Sequence, residues 1–407
     1  MLKHFQQKTR AILRGLAAAT LGFVLVANAY AQDFGAQDMG AEDMGAQELP
    51  LQEEKTVALA IDMELVSQTL ARAETLDRLH ALIVAHKGEP IVERVFRGPN
   101  INHPVNIKSA SKTIISALVG IAIEEGLISG TDAPILPLLE ARAPAELDPM
   151  VDMITIDHLL TMRAGLERTS GQFYGPWVVS PNWVRYAVSR PFVGLPGGGW
   201  LYSTGNTHML SAILTDASER STLELARTWL GEPLDVNIPP WTRDPQGTYM
   251  GGNEMALSPR ALLAFGEMYR SGGVSADGEQ VVPASWVKDS WAPKTFGRGG
   301  QLYGYGWFIS QVEGHPIYFA WGFGGQMLYV APTLNLTIVA TSDFMTRSVQ
   351  DGYRCALHGL ISQGFAPAVI HGGAANTRMP MAARSWMYPE LGGRRCMGGR
   401  FEAGLPG

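Results

Sequence analysis

The run Ser109–Leu127, SASKTIISALVGIAIEEGL, constrains this chain more than any other stretch. Apolar residues cover every face of its helical wheel, so the helix it forms has to lie in a core between two layers. Yet the run opens with Ser109 and Lys112, a hydroxyl and an amine one turn apart on one face. A helix start adds unpaired backbone N–H groups and the positive end of the dipole, which favour a developing oxyanion. Burial against apolar neighbours lowers a lysine pKa, and such a lysine can take a serine proton. Four residues thus supply a nucleophile, a base and part of an anion site. The same spacing also occurs where a serine caps a helix and the lysine is solvated, so the rest of the chain has to decide.

The 407 residues, 46% of them apolar, suffice for one large two-part domain or for two domains. A net charge of −6, with no basic cluster in the body of the chain, gives no electrostatic basis for binding nucleic acid. At the N-terminus Lys3, Lys8, Arg10 and Arg14 precede the apolar stretch Gly15–Ala27, which is too short for a comfortable membrane span. Ala29-Tyr30-Ala31 then fits a small-x-small cleavage site. Residues 1–31 read as a signal peptide, with Gln32 first in the mature chain and a periplasmic or secreted destination in a bacterium. An uncleaved anchor is the alternative. Residues 32–55 read as a disordered acidic linker, because the repeats GAQDM-GAEDM-GAQEL carry too little apolar surface to pack. Cys355 and Cys396 are the only cysteines. An oxidising compartment permits a bridge between them, and two cysteines alone make no metal site.

Along the body, Val57–Glu74 reads as a first helix. Ala81–Ala85 and Ile91–Phe96 read as strands of a hairpin around His86–Glu89. Residues 127–245 are rich in helices and loops. Thr155 caps a short helix from Ile156 to Met162 that Gly165 ends, and Met209–Ala217 is an apolar helix. Ser258-Pro259 marks another helix start, and Gly272-Gly273 its end. Beyond Tyr303 the pattern becomes an antiparallel meander, with strands near 303–311, 316–321, 326–331 and 336–342 and a helix over Val349–Ile361 to cover it. The early hairpin and the late meander are expected to share one sheet, with the helical middle inserted between them. Residues 366–407 carry five arginines, two glutamates, no lysine and no periodicity, and read as a poorly ordered extension.

Several segments in this order resemble the serine β-lactamase and penicillin-binding-protein superfamily. They are Ser109-x-x-Lys112, Ile154–Thr161 with Ala164-Gly165-Leu166, Trp200–Asn206, Gly251–Pro259 and Trp321–Gln326. The likeness covers about residues 75–365 and leans toward class C β-lactamases, family VIII esterases and 6-aminohexanoate-dimer hydrolases. It implies an α+β, β-lactamase/transpeptidase-like domain over residues 56–365: an antiparallel sheet flanked by helices, with an inserted mostly helical region. It also implies that Ser109 is the acylated nucleophile, that Lys112 activates it, and that Tyr202 shuttles protons. A tyrosine near a cation can have a lowered pKa, which suits that role. Trp321, Gly322, Phe323 and Gly324 stand where the family places its oxyanion and substrate-binding strand, with the Phe323 N–H facing that of Ser109.

Two positions depart from the β-lactamase pattern. Thr204 stands where Tyr-x-Asn has its asparagine, and Asn206 lies two residues on. Trp321 or Ala320 stands where the third strand has lysine or histidine, so the cation that would meet a β-lactam carboxylate is missing. Both departures point toward esters or linear amides. No Gly-x-Ser-x-Gly or His-Glu-x-x-His is present, and the histidines lack ligand spacing, so no metal or cofactor is expected. His158 and His208 read as hydrogen-bonded helix residues, and Ser111 as structural. Tyr174, Trp177 and Trp200 fit a pocket lining and a core equally well. The expected protein is an exported serine hydrolase that cleaves small carboxyl esters or amides through an acyl-enzyme on Ser109. Its partner would be a small-molecule substrate, with no nucleic acid and no membrane span after signal cleavage. The alternatives are a β-lactamase or D-alanyl-D-alanine carboxypeptidase, and a non-catalytic penicillin-recognising module. Nothing in the sequence sets an oligomeric state.

Overall fold

The computed structural model describes residues 61–297, 300–345, 352–372 and 389–392. The expected signal peptide (1–31) and linker (32–55) lie outside them, as do Val57–Ala60 of the first expected helix. Helix α1 (Met63–Glu74) starts where the Asp62 carboxylate accepts the Leu65 N–H at 2.9 Å. Strands β1 (Leu79–His86) and β2 (Glu89–Val95) form the early hairpin. Its two-residue turn puts Lys87 (φ 56°) and Gly88 (φ 89°) in the left-handed region, as a primed turn requires. Short strands β3 (Val105–Asn106) and β4 (Ala256–Leu257) pair as a separate ribbon. The late meander comprises β5 (Thr295–Phe296), β6 (Leu302–Tyr303), β7 (Phe308–Val312), β8 (His315–Gly322), β9 (Gln326–Ala331) and β10 (Leu336–Ser342).

Hairpin and meander make one antiparallel eight-stranded sheet, ordered β2-β1-β10-β9-β8-β7-β6-β5. The first and last long strands close it, with Leu82 opposite Ala340 and Val84 opposite Ile338. The period of two along β1 sorts side chains to two cores. Ile83 and Ala85 join the cluster built around helices α2 (Ser111–Glu124), α3 (Ile156–Leu160), α4 (Thr204–Ser218) and α5 (Pro259–Arg270). Leu82 and Val84 join the cluster containing α1, α6 (Tyr353–Leu360) and α7 (Ala366–Gly372). The result is α+β, with helices on both faces of the sheet and the helical region inserted between β2 and β5.

Every residue of α2 from Ser111 to Ala122 is buried, as its all-round apolar character requires. Gly120 is needed there, because an added Cβ would overlap the ring of Trp286. The expected caps hold: Thr155 accepts the His158 N–H in a capping box, and Ser258 accepts the Ala261 N–H ahead of Pro259. Residues 303–311 are not one strand. The chain turns between β6 and β7, where Gly306 (φ 82°) lies against the Lys112 carbonyl and an added Cβ would stand 3.0 Å from that oxygen. Of residues 366–407, two pieces are described, and both are packed. The chain runs from α6 through a wider turn into α7, whose Ala368 and Val369 are buried. Pro389–Leu391 lies along β7, with the Gln311 N–H donating to Pro389 O at 3.0 Å and the Leu391 N–H to Gln311 O at 2.8 Å. Apolar contact from Val369 and Leu391 ties these pieces down where composition alone shows no periodicity. Cys355 on α6 is disulfide-bonded, and Cys396 lies outside the described residues.

Candidate active site

Ser109 sits on a single 3-10 turn, Lys108–Ala110, immediately ahead of α2. Lys108 before it is left-handed, at φ 51°, a conformation that costs a non-glycine residue and persists only when its surroundings impose it. Here they do. The Lys108 N–H donates to Asn106 Oδ1 at 2.9 Å, and its ammonium to Glu254 Oε1 at 3.2 Å while lying 4.1 Å above the Phe344 ring. Asn106 Nδ2 donates to the other Glu254 oxygen at 2.6 Å. The β3–β4 ribbon and the Ile107 N–H to Met255 O bond fix the same two segments together. Ser111 Oγ donates to Lys108 O at 2.8 Å, which makes it structural.

Lys112 is one turn on and only 2% exposed. Its Nζ lies 3.1 Å from Ser109 Oγ, 3.3 Å from Thr204 Oγ1 and 2.7 Å from Gly252 O, and 4.7 Å from the centre of the Tyr202 ring. None of these partners is a carboxylate. Burial therefore dominates and lowers the lysine pKa to about 7. A neutral amine fits these three partners well. Its two N–H groups can serve Gly252 O and Thr204 Oγ1, which leaves its lone pair to accept from the Ser109 hydroxyl.

Tyr202 lies just before α4, its ring 5.6 Å from that of Trp200. Burial pushes its phenol well up, and a hydrogen bond to Ser109 only partly opposes this. The lowered tyrosine pKa expected from a neighbouring cation is thus reversed. Tyr202 enters neutral chemistry as a phenol that can pass a proton, not as a resident phenolate.

The two departures have structural answers. Thr204 faces inward: Oγ1 meets Lys112 and, at 3.0 Å, Ser170 Oγ, so it belongs to the lysine's surroundings. Asn206, on α4, is buried. On β8, Gly322 passes directly against the nucleophile turn, and an added Cβ would overlap the Ile107 carbonyl. Trp321 belongs to the cluster on the opposite face, where the Arg354 guanidinium covers it at 4.4 Å. Pairing with β7 stops at Phe308 opposite Phe319, so the segment from Ala320 through Phe323 extends beyond β7. Gly324 (φ 82°) and Gly325 (φ 101°) then turn the chain into β9. Gln326 is a clasp inside the sheet, donating to Ser342 O at 2.6 Å and accepting the Ser342 N–H at 3.2 Å. Of the three aromatics left open between pocket and core, Trp177 is fully buried, while Tyr174 and Trp200 are half-buried.

The structure therefore brings Ser109, Lys112 and Tyr202 together and sets Gly322 beside them. Thr204, Ser170, Gly252, Asn106 and Glu254 also build the site, and sequence reasoning assigned none of them a role in it. Thr204 stands out in the sequence only as a departure from Tyr-x-Asn, and Gly252 and Glu254 only within the segment Gly251–Pro259, a match in order. Among the described residues no group of three or more His, Cys, Asp or Glu is arranged to hold a metal ion, and no helix is long and apolar enough to cross a membrane.

Comparisons with known proteins agree with this architecture. An uncharacterized protein of Alkalihalophilus pseudofirmus is 26% identical over 221 residues, covering 51% of this chain; the chain spans 61% of that relative's length. A putative 6-aminohexanoate-dimer hydrolase from Bacillus anthracis superposes with a TM-score of 0.59 at 19% identity, over 76% of this chain and 81% of that one. EstCE1, a hydrolase with promiscuous acyltransferase activity, superposes with a TM-score of 0.61 at 17% identity, over 73% and 99%. The Beta-lactamase family matches residues 78–358, more than half of the sequence. With a serine, a buried amine and a tyrosine converging at the head of α2 inside that span, the chain belongs to the Beta-lactamase family.

Proposed function

We propose that this protein is an exported serine hydrolase of small carboxyl esters or amides, acting through an acyl-enzyme on Ser109. The observation that carries the reading is the amine of Lys112, buried without a carboxylate and 3.1 Å from the Ser109 hydroxyl. Ser109 Oγ attacks the substrate carbonyl carbon as its proton passes to Lys112 Nζ. The carbonyl electrons move to oxygen, which the N–H groups of Ser109 and Phe323 receive. Collapse breaks the bond to the leaving oxygen or nitrogen, and the proton reaches that atom through the Tyr202 hydroxyl. A water then gives its proton back along the same path, adds to the acyl carbon and releases the acid with Ser109 restored.

Esters and linear amides are favoured over β-lactams because neither Ala320 nor Trp321, the residues at the third-strand position, supplies a cation. Export rests on the N-terminal sequence alone. The test is intact-mass analysis after p-nitrophenyl butyrate, beside Ser109→Ala, while p-nitrophenol release is followed. A burst with an acyl adduct on wild type only is the expected result. A folded protein that neither releases p-nitrophenol nor gains mass overturns the ester reading. Turnover of nitrocefin or a D-Ala-D-Ala peptide would then identify the penicillin-directed alternative.

A further inference from the structure

The shortest hydrogen bond of Lys112 goes to a backbone carbonyl, that of Gly252, 140 positions away in sequence. What holds that carbonyl in place lies behind the site. Residues Thr242–Met250 form a small hairpin, closed by Met250 N–H to Thr242 O at 2.8 Å and Asp244 N–H to Thr248 O at 2.8 Å. Gly251 and Gly252 follow its second arm. His208, on α4 and wholly buried, touches both arms. Its Nε2 lies 3.1 Å from Asp244 Oδ2 on the first arm, and its Nδ1 accepts the Gly251 N–H at 3.3 Å just past the second.

This arrangement assigns the tautomer. The Gly251 amide can only donate, so Nδ1 carries no proton and Nε2–H donates to Asp244. Burial works to raise the Asp244 carboxyl, but hydrogen bonds from His208 and from the Thr248 and Gln246 N–H groups outweigh it and hold the pKa below its usual value. Trp177 and Trp183 close the histidine in, with ring centres at 5.7 and 5.5 Å. The glycines let the strand lie flat on α4 and on the lysine. An added Cβ on Gly251 would overlap Thr207 O, and one on Gly252 (φ 82°) would stand 2.9 Å from Lys112 Cγ.

We infer that Asp244 and His208 are positioning residues for Lys112: they hang the Gly251–Gly252 segment from α4 and so fix the carbonyl that aims the lysine's lone pair at Ser109. The inference rests on the proposed role of Lys112 as base. Neither residue touches the reacting atoms.

Asp244→Asn tests it with minimal change of shape. The amide oxygen can keep the two backbone N–H groups, which turns the NH2 toward His208 Nε2. That nitrogen must then accept, the proton moves to Nδ1, and Nδ1–H faces the Gly251 N–H, donor against donor. The expected result is a 10- to 100-fold fall in the acylation rate, read in the burst phase at saturating p-nitrophenyl butyrate, with the half-saturating concentration changed less than threefold. Such a loss is of the order a displaced catalytic group produces. Trp183→Phe is the control. It removes the indole bond to Val178 O and disturbs the same pocket, yet leaves the Asp244–His208–Gly251 chain intact. It should lower the melting temperature without the loss of burst rate. The second readout needs no substrate: the titration of the Lys112 ε-carbon by NMR, assigned with Lys112→Arg. In Asp244→Asn its midpoint should rise toward 10.5 as water reaches Nζ beside the displaced carbonyl. A wild-type burst rate and an unmoved lysine midpoint in Asp244→Asn would overturn the inference, as would an equal loss of burst rate in Trp183→Phe. If wild type forms no acyl adduct, the ester reading fails while the lysine titration still decides this one.

Discussion

The two walls of the site are built in opposite ways. The α2–α4 wall is side-chain chemistry: Ser109, Lys112, Tyr202 and Thr204 meet through functional groups, each held by identifiable partners. The β8 wall is backbone: Gly322, Gly324 and Gly325 present no side chain, and Trp321, the large residue among them, packs on the far face. On the first wall a protein sets reactivity by burial and hydrogen bonding. On the second it sets distance, because a glycine strand approaches the acyl group as closely as backbone allows. The missing cation belongs to the second wall, so under the proposed reaction the departure from the β-lactamase pattern bears on what is recognised more than on how the bond is broken.

The largest effect should come from the first wall. Lys112→Met removes the base and should lower the acylation rate by about 10²- to 10⁴-fold. The same change should raise the melting temperature, since it replaces a buried amine by an apolar side chain of similar length. The sign with pH follows from linkage. The unfolded chain keeps the lysine proton up to about 10.5, whereas the folded chain has half released it by about 7. Between these values the unfolded state binds more protons, so wild-type stability rises with pH through this window. The gain from Lys112→Met should therefore be greatest below pH 7 and shrink toward pH 10. Denaturant melts of both proteins across that range would show it, and a gain independent of pH would contradict the assigned shift.

Activity carries the same signature. The acylation rate should climb about tenfold per pH unit below about 7 and level off above it, as the amine becomes free. No descending limb from Tyr202 is expected in the neutral range, because burial keeps its phenol protonated. Stopped-flow bursts with p-nitrophenyl butyrate would trace the profile. A rate that is flat from pH 5 to 9 would remove Lys112 from the base role.

The second wall is tested by Gly322→Ala. Its Cβ would overlap the Ile107 carbonyl, and neither atom is the free end of a side chain. Strand and nucleophile turn must separate, at about 1–3 kcal/mol by analogy with overpacked cores. A misplacement of that kind should reduce kcat about 10²-fold with a smaller change in KM. If Gly322→Ala keeps full activity, β8 does not set the distance to the acyl group, and the contrast between the walls fails.

What could be read from the sequence divides along the same line. The all-apolar face of α2, the caps at Thr155 and Ser258 and the period-two strands are local patterns, and they give most elements. Ser109 and Lys112 are local too, three residues apart. Tyr202 and the glycine strand come from order along the chain, through resemblance. Gly252 O and Glu254 were not legible, because their roles are contacts across 140 or more residues, and Asp244 was not, because it meets a histidine 36 positions away that carries no motif. The Tyr202 shift was expected with the wrong sign: a neighbouring cation is visible in a motif, whereas the desolvation that outweighs it depends on the packed surroundings. The break between β6 and β7 has the same origin, since Gly306 turns where the chain meets the Lys112 carbonyl.

The smallest effect should come from a place that belongs to neither wall. Leu391 is 4% exposed and sits in the cluster on the α1 face, beside the pairing of Pro389–Leu391 with Gln311 near the end of β7. Phe308, at the other end of β7, is the residue that approaches Trp321. Leu391→Ala removes apolar area at a docked segment, not at the centre of a core. Its cost should fall at or below about 2 kcal/mol, the lower end of Leu→Ala losses. For a domain of this size that is a melting shift of a few degrees. kcat and KM should stay at wild-type values, because the backbone bonds to Gln311 remain and the free end of β8 is untouched. A calorimetric scan beside steady-state kinetics separates the outcomes. A loss of kcat in Leu391→Ala would mean that the segment reaches the site through β7, and that the glycine wall is held from behind as firmly as Lys112 is.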